Sequence, residues 1–287
     1  MQGKVSHRRI EVAGVDTFYR EAGPEGAPAV LLPHGYPCSS YEFRSYMPAL
    51  ADKWHLLAPD FPGCGLSATP EHFAYDFDGY ADFLARFLDA KGIARCAVYL
   101  HDFGSQIGLR CAIAAPERFG ALIIQNGDIY EDALGPKYKP LQQHWANPTV
   151  ESRAKLFEAV SEEGFRDEFL NDVRPELAER IPPDLWKLHW ALMTQRRREI
   201  AVAVIEGLKE NLDWFVRYQA YLRQHRPPTL ILWGPQDGYM PEAAGRAYLR
   251  DLPDAELHML DAGHWALETS LDEMVALTRD FLTRHWL

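Results

Sequence analysis

The stretch Cys96-Ala97-Val98-Tyr99-Leu100-His101-Asp102-Phe103-Gly104-Ser105-Gln106-Ile107-Gly108 decides the fold. Cys96 to Leu100 is a short apolar run, the pattern of a strand buried on both faces. Gln106 to Ala115 has helical periodicity. Between them stands an acidic residue, Asp102, with a glycine, Gly104, two residues on. A buried strand that turns sharply into a helix is one half-unit of a parallel sheet with crossover helices.

The same alternation extends in both directions. Arg9 to Val12 and Thr17 to Arg20 read as an antiparallel pair turned at Ala13-Gly14. Ala29 to Leu32, His55 to Ala58 and Leu122 to Gln125 read as further strands, and Tyr80 to Lys91 as a helix. From about Glu131 to Arg226 the period is helical, clearest at Glu151 to Glu162 and Arg198 to Leu222. Strand signals return at Thr229 to Trp233 and Glu256 to Leu260, and Trp265 onward is helical. The expectation is an α/β fold with eight strands, six before the helical stretch and two after it. Residues 1–130 and 227–287 would form the core, and 131–226 a helical cap rich in aromatics such as Trp145, Trp186, Trp190 and Trp214. A flap over the carboxyl edge of the sheet needs an apolar underside, and that edge is where open α/β sheets place ligands.

Composition narrows the function. The chain has 287 residues, 47% of them hydrophobic, enough for a large core. A formal net charge of -11 argues against nucleic acid or an anionic membrane as partner. Cys38, Cys64, Cys96 and Cys111 match no zinc or redox spacing, so no metal and no cofactor are expected. No run is long enough to span a membrane, and no apolar stretch follows the basic first residues. A cytoplasmic protein, monomer or homodimer, acting on a small molecule is expected.

Four chemistry-bearing sites each follow a predicted strand: His34-Gly35-Tyr36-Pro37, His101-Asp102-Phe103-Gly104, Gly234-Pro235-Gln236-Asp237 and Gly263-His264. Carboxyl ends of parallel strands converge, so these can meet. Asp102 occupies a nucleophile elbow, and no G-x-S-x-G occurs to supply a serine there. His264 could act as base, and Asp237 could hold its tautomer. The N–H groups of Tyr36 and Phe103 could form an oxyanion hole, with His34 bracing the loop beside a substrate. Each residue also has a plainer reading: Asp102 as a helix N-cap, Asp237 as a turn cap, His264 as a core histidine. Asp60-Phe61-Pro62-Gly63-Cys64-Gly65 is glycine-rich but lacks the lysine of a phosphate loop.

Taken together, H-G-x-P, D-x-P-G-x-G-x-S, H-D-x-G, W-G-x-x-D and G-H, in this order, resemble the epoxide hydrolase and haloalkane dehalogenase branch of the α/β-hydrolase superfamily. The resemblance implies an α/β-hydrolase fold and an Asp102–His264–Asp237 triad. Asp102 would attack a substrate carbon, and His264 would then activate water to hydrolyse the resulting ester. It implies epoxide hydrolysis of a small apolar substrate, with cap tyrosines among Tyr130, Tyr138, Tyr218 and Tyr221 donating a proton. The alternative is haloalkane or haloacid dehalogenation, with Trp145, preceded by His144, or Trp190 binding halide. A non-catalytic binding protein is a third reading. Some positions depart from the branch. Leu100 replaces a small residue at the elbow. Phe103 replaces a halide-binding tryptophan. Phe103 and Gln106 stand where haloacetate dehalogenases carry arginines. Asn126 stands where some members carry the triad acid, with Asp128 the fallback.

Overall fold

The computed structural model describes residues 3–170 and 172–287. Among the described residues, eight strands form one sheet: β1 (Val5–Val12), β2 (Val15–Ala22), β3 (Ala29–Leu31), β4 (His55–Pro59), β5 (Cys96–His101), β6 (Phe119–Gln125), β7 (Thr229–Trp233) and β8 (Glu256–Met259). Their spatial order is β1-β2-β4-β3-β5-β6-β7-β8. β2 runs antiparallel to both β1 and β4, and from β4 to β8 every neighbouring pair is parallel. This is the eight-stranded α/β-hydrolase sheet that the sequence predicts.

β5 shows how the core is divided. Cys96, Val98 and Leu100 belong to one apolar cluster, with Phe83, Leu84 and Ile107. The intervening Ala97 and Tyr99 belong to another, with Tyr46, Met47 and Phe281. Successive side chains of a strand point to opposite faces, so covering both faces with helices requires an unbroken apolar run. Helices Phe77–Ala90 and Asp102–Ala114 cover the first face, and Tyr46–Leu50 and Leu271–His285 the second.

β1 begins four residues earlier than the alternation predicts. Val5 to Arg8 contains His7 and Arg8, which sit exposed on an edge strand, where charge is tolerated and deters further pairing. The turn to β2 is where it was expected, with Ala13 at φ 50° and Gly14 at φ 80°. Paired positive φ values are those of a type I′ hairpin turn.

Between β6 and β7, among the described residues, only helices and turns occur. The expected Glu151–Glu162 helix is instead Val150–Ala159, followed after a break by Glu162–Leu170. Ser161 makes the break: its hydroxyl accepts from the Gly164 N–H and starts the second helix. The other expected helix is longer than the periodicity showed, Gln195–His225, started by Thr194 accepting from the Arg197 N–H. Among the described residues no helix is long and apolar enough to cross a membrane.

Candidate active site

The elbow at Asp102 has the geometry its position predicts. Asp102 has φ 49°, left-handed backbone that most side chains avoid and aspartate tolerates better than most. Its N–H donates to the carbonyl of Asn126 at 3.1 Å, which ties the elbow to the end of β6. Two glycines permit the turn. A Cβ on Gly35 would lie 2.5 Å from the Cβ of Asp102, and one on Gly104 would lie 2.3 Å from the Pro33 carbonyl. The bulk of Leu100 does not prevent the elbow, because its side chain enters the core.

Asp102 does not cap its own helix. Its Oδ1 accepts from the Tyr36 N–H at 2.6 Å, and its Oδ2 faces His264 Nε2 at 3.6 Å. Phe103 is in the first turn of the helix Asp102–Ala114, where N–H groups have no intrahelical acceptor. The Tyr36 and Phe103 rings stack at 5.7 Å.

His264 is fixed from the other side. Its Nδ1–H donates to Asp237 Oδ2 at 2.7 Å. Asp237 also accepts from the Tyr239 and Met240 N–H groups and from Asn126 Nδ2, at 2.8, 3.0 and 2.8 Å. It therefore caps its turn and holds the histidine at once. Burial alone would raise the Asp237 carboxyl, but the charge and hydrogen bond of His264, then Met240 and Asn126, outweigh it and hold it below its ordinary value. Burial opposes charge on His264. Asp237, by charge and hydrogen bond, then Asp102 and Glu168, overcome that and carry the imidazole up to about 9.

Asn126 stands at the alternative acid position and serves the site differently, by holding Asp237 and Gly234. It has φ 38°, donates to the Gly234 carbonyl and accepts from the Gly234 N–H at 2.9 and 2.8 Å. Asparagine tolerates that backbone and brings a donor as well as an acceptor. Asp128, the fallback acid, does not meet His264. It is buried and takes Gln106 Nε2 at 2.8 Å. Burial first, with help from Asp102 and Asp237 and against a hydrogen bond from Tyr138, pushes its carboxyl up to about 7.

A cavity of about 550 Å³ opens over Asp102 and His264. Its floor includes Tyr36 and Phe103; Tyr138, Leu156, Glu168, Ile205 and Leu208 line it from the helical stretch, and Tyr239 from beyond β7. Tyr239 donates its hydroxyl to Glu168 at 3.1 Å. Burial pushes the Glu168 carboxyl up, and Asp102 adds to this; Lys137, His264 and Tyr239 pull against it. Sequence reasoning missed Glu168, which lies in a helix with no motif around it. Tyr239 could have been found, since it is two residues after Asp237.

Several expected binding residues are elsewhere. Tyr130 donates to Asp251 at 2.6 Å. Tyr218 donates to Asn211 at 2.8 Å and accepts from Arg110 Nε at 3.0 Å. Tyr221 is buried against His225 with its hydroxyl unpartnered. None of the three is among the cavity-lining residues. The long helix explains the error: Leu208 faces the cavity, and Tyr218, ten residues on, is about 15 Å further along the axis. Trp145 is likewise buried outside the cavity with its N–H unpartnered, while the preceding His144 lines it. His34 lines a separate apolar pocket of about 70 Å³ behind Tyr36 and Phe103. Its ring donates to the Gly35 carbonyl and accepts from the Phe61 N–H, at 3.0 and 3.1 Å, so it braces the loop.

Comparison with known proteins agrees with this architecture. Residues 28–271 match the family described as alpha/beta hydrolase fold. An uncharacterized hydrolase of Saccharomyces cerevisiae is 32% identical over 284 residues, covering 94% of this chain and 93% of that one. Epoxide hydrolase A of Mycobacterium tuberculosis is 37% identical over 122 residues, 42% of this chain and 38% of that protein. The structure of a haloalkane dehalogenase from Bradyrhizobium elkanii superposes with a TM-score of 0.78 at 23% identity, covering 98% of this chain and 97% of that one. With an eight-stranded sheet in this order and a family match across most of its length, the chain belongs to the α/β-hydrolase superfamily and is a hydrolase.

Proposed function

We propose that the protein hydrolyses epoxides through a covalent ester on Asp102. One observation carries the reading: the two carboxylate oxygens of Asp102 have different surroundings. Oδ1 is held by the Tyr36 N–H at 2.6 Å, and Oδ2 faces the cavity and His264 at 3.6 Å. Oδ2 is then the attacking oxygen. It forms a bond to a ring carbon of the epoxide as the carbon–oxygen bond breaks, and the freed alkoxide takes a proton. Oδ1 becomes the carbonyl oxygen of the ester and already lies on a donor. Water, deprotonated by His264 Nε2, adds to the ester carbon, and negative charge develops on Oδ1, where Tyr36 and Phe103 N–H groups would stabilise it.

His264 suits the second step better once the first has occurred. Asp102 is among the charges that hold its proton, and esterification removes that charge. The imidazole is thereby released toward the neutral form that a base requires.

The helical stretch 131–226 acts in this reading as a cap. Leu156, Ile205 and Leu208 give the cavity an apolar wall, and Tyr138, the one expected cap tyrosine that lines it, together with Tyr239 from beyond β7, would serve as proton donors. A cavity of this volume takes a substrate well beyond a few carbons. Dehalogenation is less well supported, because a departing halide is best held by side-chain N–H donors; the Phe103 side chain has none, and Trp145 is buried outside the cavity.

The test is His264→Gln incubated with a panel of epoxides and haloalkanes. Intact-protein mass spectrometry should show a hydroxyalkyl adduct on Asp102 after epoxide treatment, because attack needs no base while hydrolysis does. A halide-releasing adduct alone would shift the assignment to dehalogenation, and no adduct with a substrate the wild type turns over would overturn it.

A further inference from the structure

Asp128 is a buried carboxyl that the triad does not use, and it is short of donors. Its residue is 1% exposed. Gln106, from the helix Asp102–Ala114, donates its Nε2 to Oδ1 at 2.8 Å and to the Asp128 main-chain carbonyl at 3.3 Å. Tyr138, at the end of the short turn Pro136–Tyr138, gives a hydrogen bond from its hydroxyl to the same carboxyl. Among the described residues, Asp128 Oδ2 and Gln106 Oε1 have no close donor. Buried acceptors without a donor cost free energy, and both belong to one hydrogen-bonded pair. A hydrogen on the Asp128 carboxyl supplies a donor where the protein provides none.

The titratable groups that face Asp128 are all acidic. They are Asp102 from the elbow, Asp237 from the loop after β7, Tyr138, and Tyr248 from the segment Tyr248–Arg250. Burial and the two carboxylates keep hydrogen on Asp128 further up the pH scale than on an ordinary aspartate. Tyr138 joins this carboxyl to the reaction site. It lines the same cavity as Asp102 and His264. Burial first, then Asp128 and Asp102, raises its hydroxyl well above the usual value. A tyrosinate left at Tyr138 is therefore costly and needs a proton from its neighbour.

We propose that Asp128 is a positioning residue that supplies, through the Tyr138 hydroxyl, the proton taken by the alkoxide when the epoxide opens. This rests on the reading of Asp102 as nucleophile. As Asp102 Oδ2 bonds to carbon and the ring carbon–oxygen bond breaks, the alkoxide takes the hydrogen of the Tyr138 hydroxyl. The Tyr138 oxygen in turn takes the hydrogen of the Asp128 carboxyl. The negative charge that Asp102 loses is then on Asp128. Esterification favours this exchange, because Asp102 is one of the charges that hold the Asp128 proton and the ester removes it. Hydrolysis of the ester regenerates the Asp102 carboxylate and leaves one proton from water, which returns to Asp128. Tyr239, which also brings a hydroxyl to the cavity, donates to Glu168 at 3.1 Å and is the competing donor.

Styrene oxide and cyclohexene oxide serve as probes, and ester formation is timed by intact-protein mass spectrometry in His264→Gln, where the ester accumulates. With Asp128 present, formation should slow as pH rises through about 7, because the carboxyl loses the hydrogen it delivers. Asp128→Asn keeps the acceptor for Gln106 Nε2 and has no proton to give. It should slow formation at least about tenfold below pH 7 and abolish the pH dependence there. Tyr138→Phe should do the same, and combining the two should add little, because each breaks one relay. In enzyme that retains His264, single-turnover hydrolysis of the ester should stay within about twofold in both variants, since His264 handles the proton in that step. Unchanged formation in folded Asp128→Asn overturns the inference. So does a profile in that variant that still falls through about pH 7, or a loss produced by Tyr239→Phe and not by Tyr138→Phe. If Asp128→Asn does not fold, Tyr138→Phe decides by the same two readings, rate and pH dependence. Absence of an ester from both probes, with or without His264, instead overturns the reading of Asp102.

Discussion

At the scale of single residues, the site depends on backbone that few side chains accept. Asp102 and Asn126 are both in left-handed conformation, and each uses its side chain within the site, Asp102 accepting from the Tyr36 N–H and Asn126 donating to Asp237. Asp102→Asn should fold as wild type does, because asparagine tolerates that conformation, and should lose turnover by at least about three orders of magnitude if the carboxylate attacks carbon. Thermal unfolding together with single-turnover assays checks both halves, and activity above a tenth of wild type would remove Asp102 from the mechanism. Asn126→Ala is expected to behave differently. It strands the Gly234 N–H and carbonyl and removes a donor from Asp237, so it should cost about 1–3 kcal/mol of stability, measured by denaturant unfolding. A change below about 0.5 kcal/mol would mean that water replaces the side chain at no cost.

At the scale of elements, what the sequence discloses depends on whether a residue's task is local. β5, the elbow and the four motif loops could be read because an apolar run, a glycine and an acid within a few residues already contain the turn. The Asp237–His264 contact followed from topology, since carboxyl ends of parallel strands converge. The helical stretch disclosed its secondary structure but not its underside. Tyr218 and Tyr221 share a helix face, and that face looks toward Arg110 and the core, a fact set by where the 31-residue helix crosses the sheet. Periodicity gives the face of a helix and not its placement along the axis. The break at Ser161 was hidden because Val160 continues the apolar period. Leu208 and Ile205, by contrast, face the cavity, so substitution there should change selectivity without touching chemistry. Leu208→Trp should raise KM for bulky substrates about tenfold or more while leaving kcat for the smallest nearly unchanged, as a kinetic series over substrate size would show. Equal losses across the series would place Leu208 outside the substrate's path.

At the scale of the whole molecule, the buried titratable groups of the site make stability depend on pH. His264 has a folded-state pKa of about 9, above the value of about 6.5 for a free histidine. A raised value means that the folded state holds the proton more tightly. The resulting stabilisation is complete below about pH 6.5 and is lost as pH rises through about 9. For a group this buried it could reach roughly 3 kcal/mol at most. Asp128 contributes in the same direction over a lower range. Its carboxyl, raised to about 7 chiefly by burial, is neutral in the folded protein at a pH where the unfolded chain would ionise it. Stability from Asp128 is therefore present below about pH 4 and falls between about pH 4 and 7. The two groups predict separable changes in a pH series of unfolding free energies. Asp128→Asn keeps the acceptor for Gln106 Nε2 and needs no proton, so it should remove the slope between about pH 4 and 7. It should leave the enzyme about 1–3 kcal/mol more stable than wild type at pH 7. His264→Gln should leave that slope intact and flatten the one between about pH 6.5 and 9. If Asp128→Asn instead lost stability at pH 7, the carboxylate would be ionised and paired in the fold, and the sign of its contribution would be reversed.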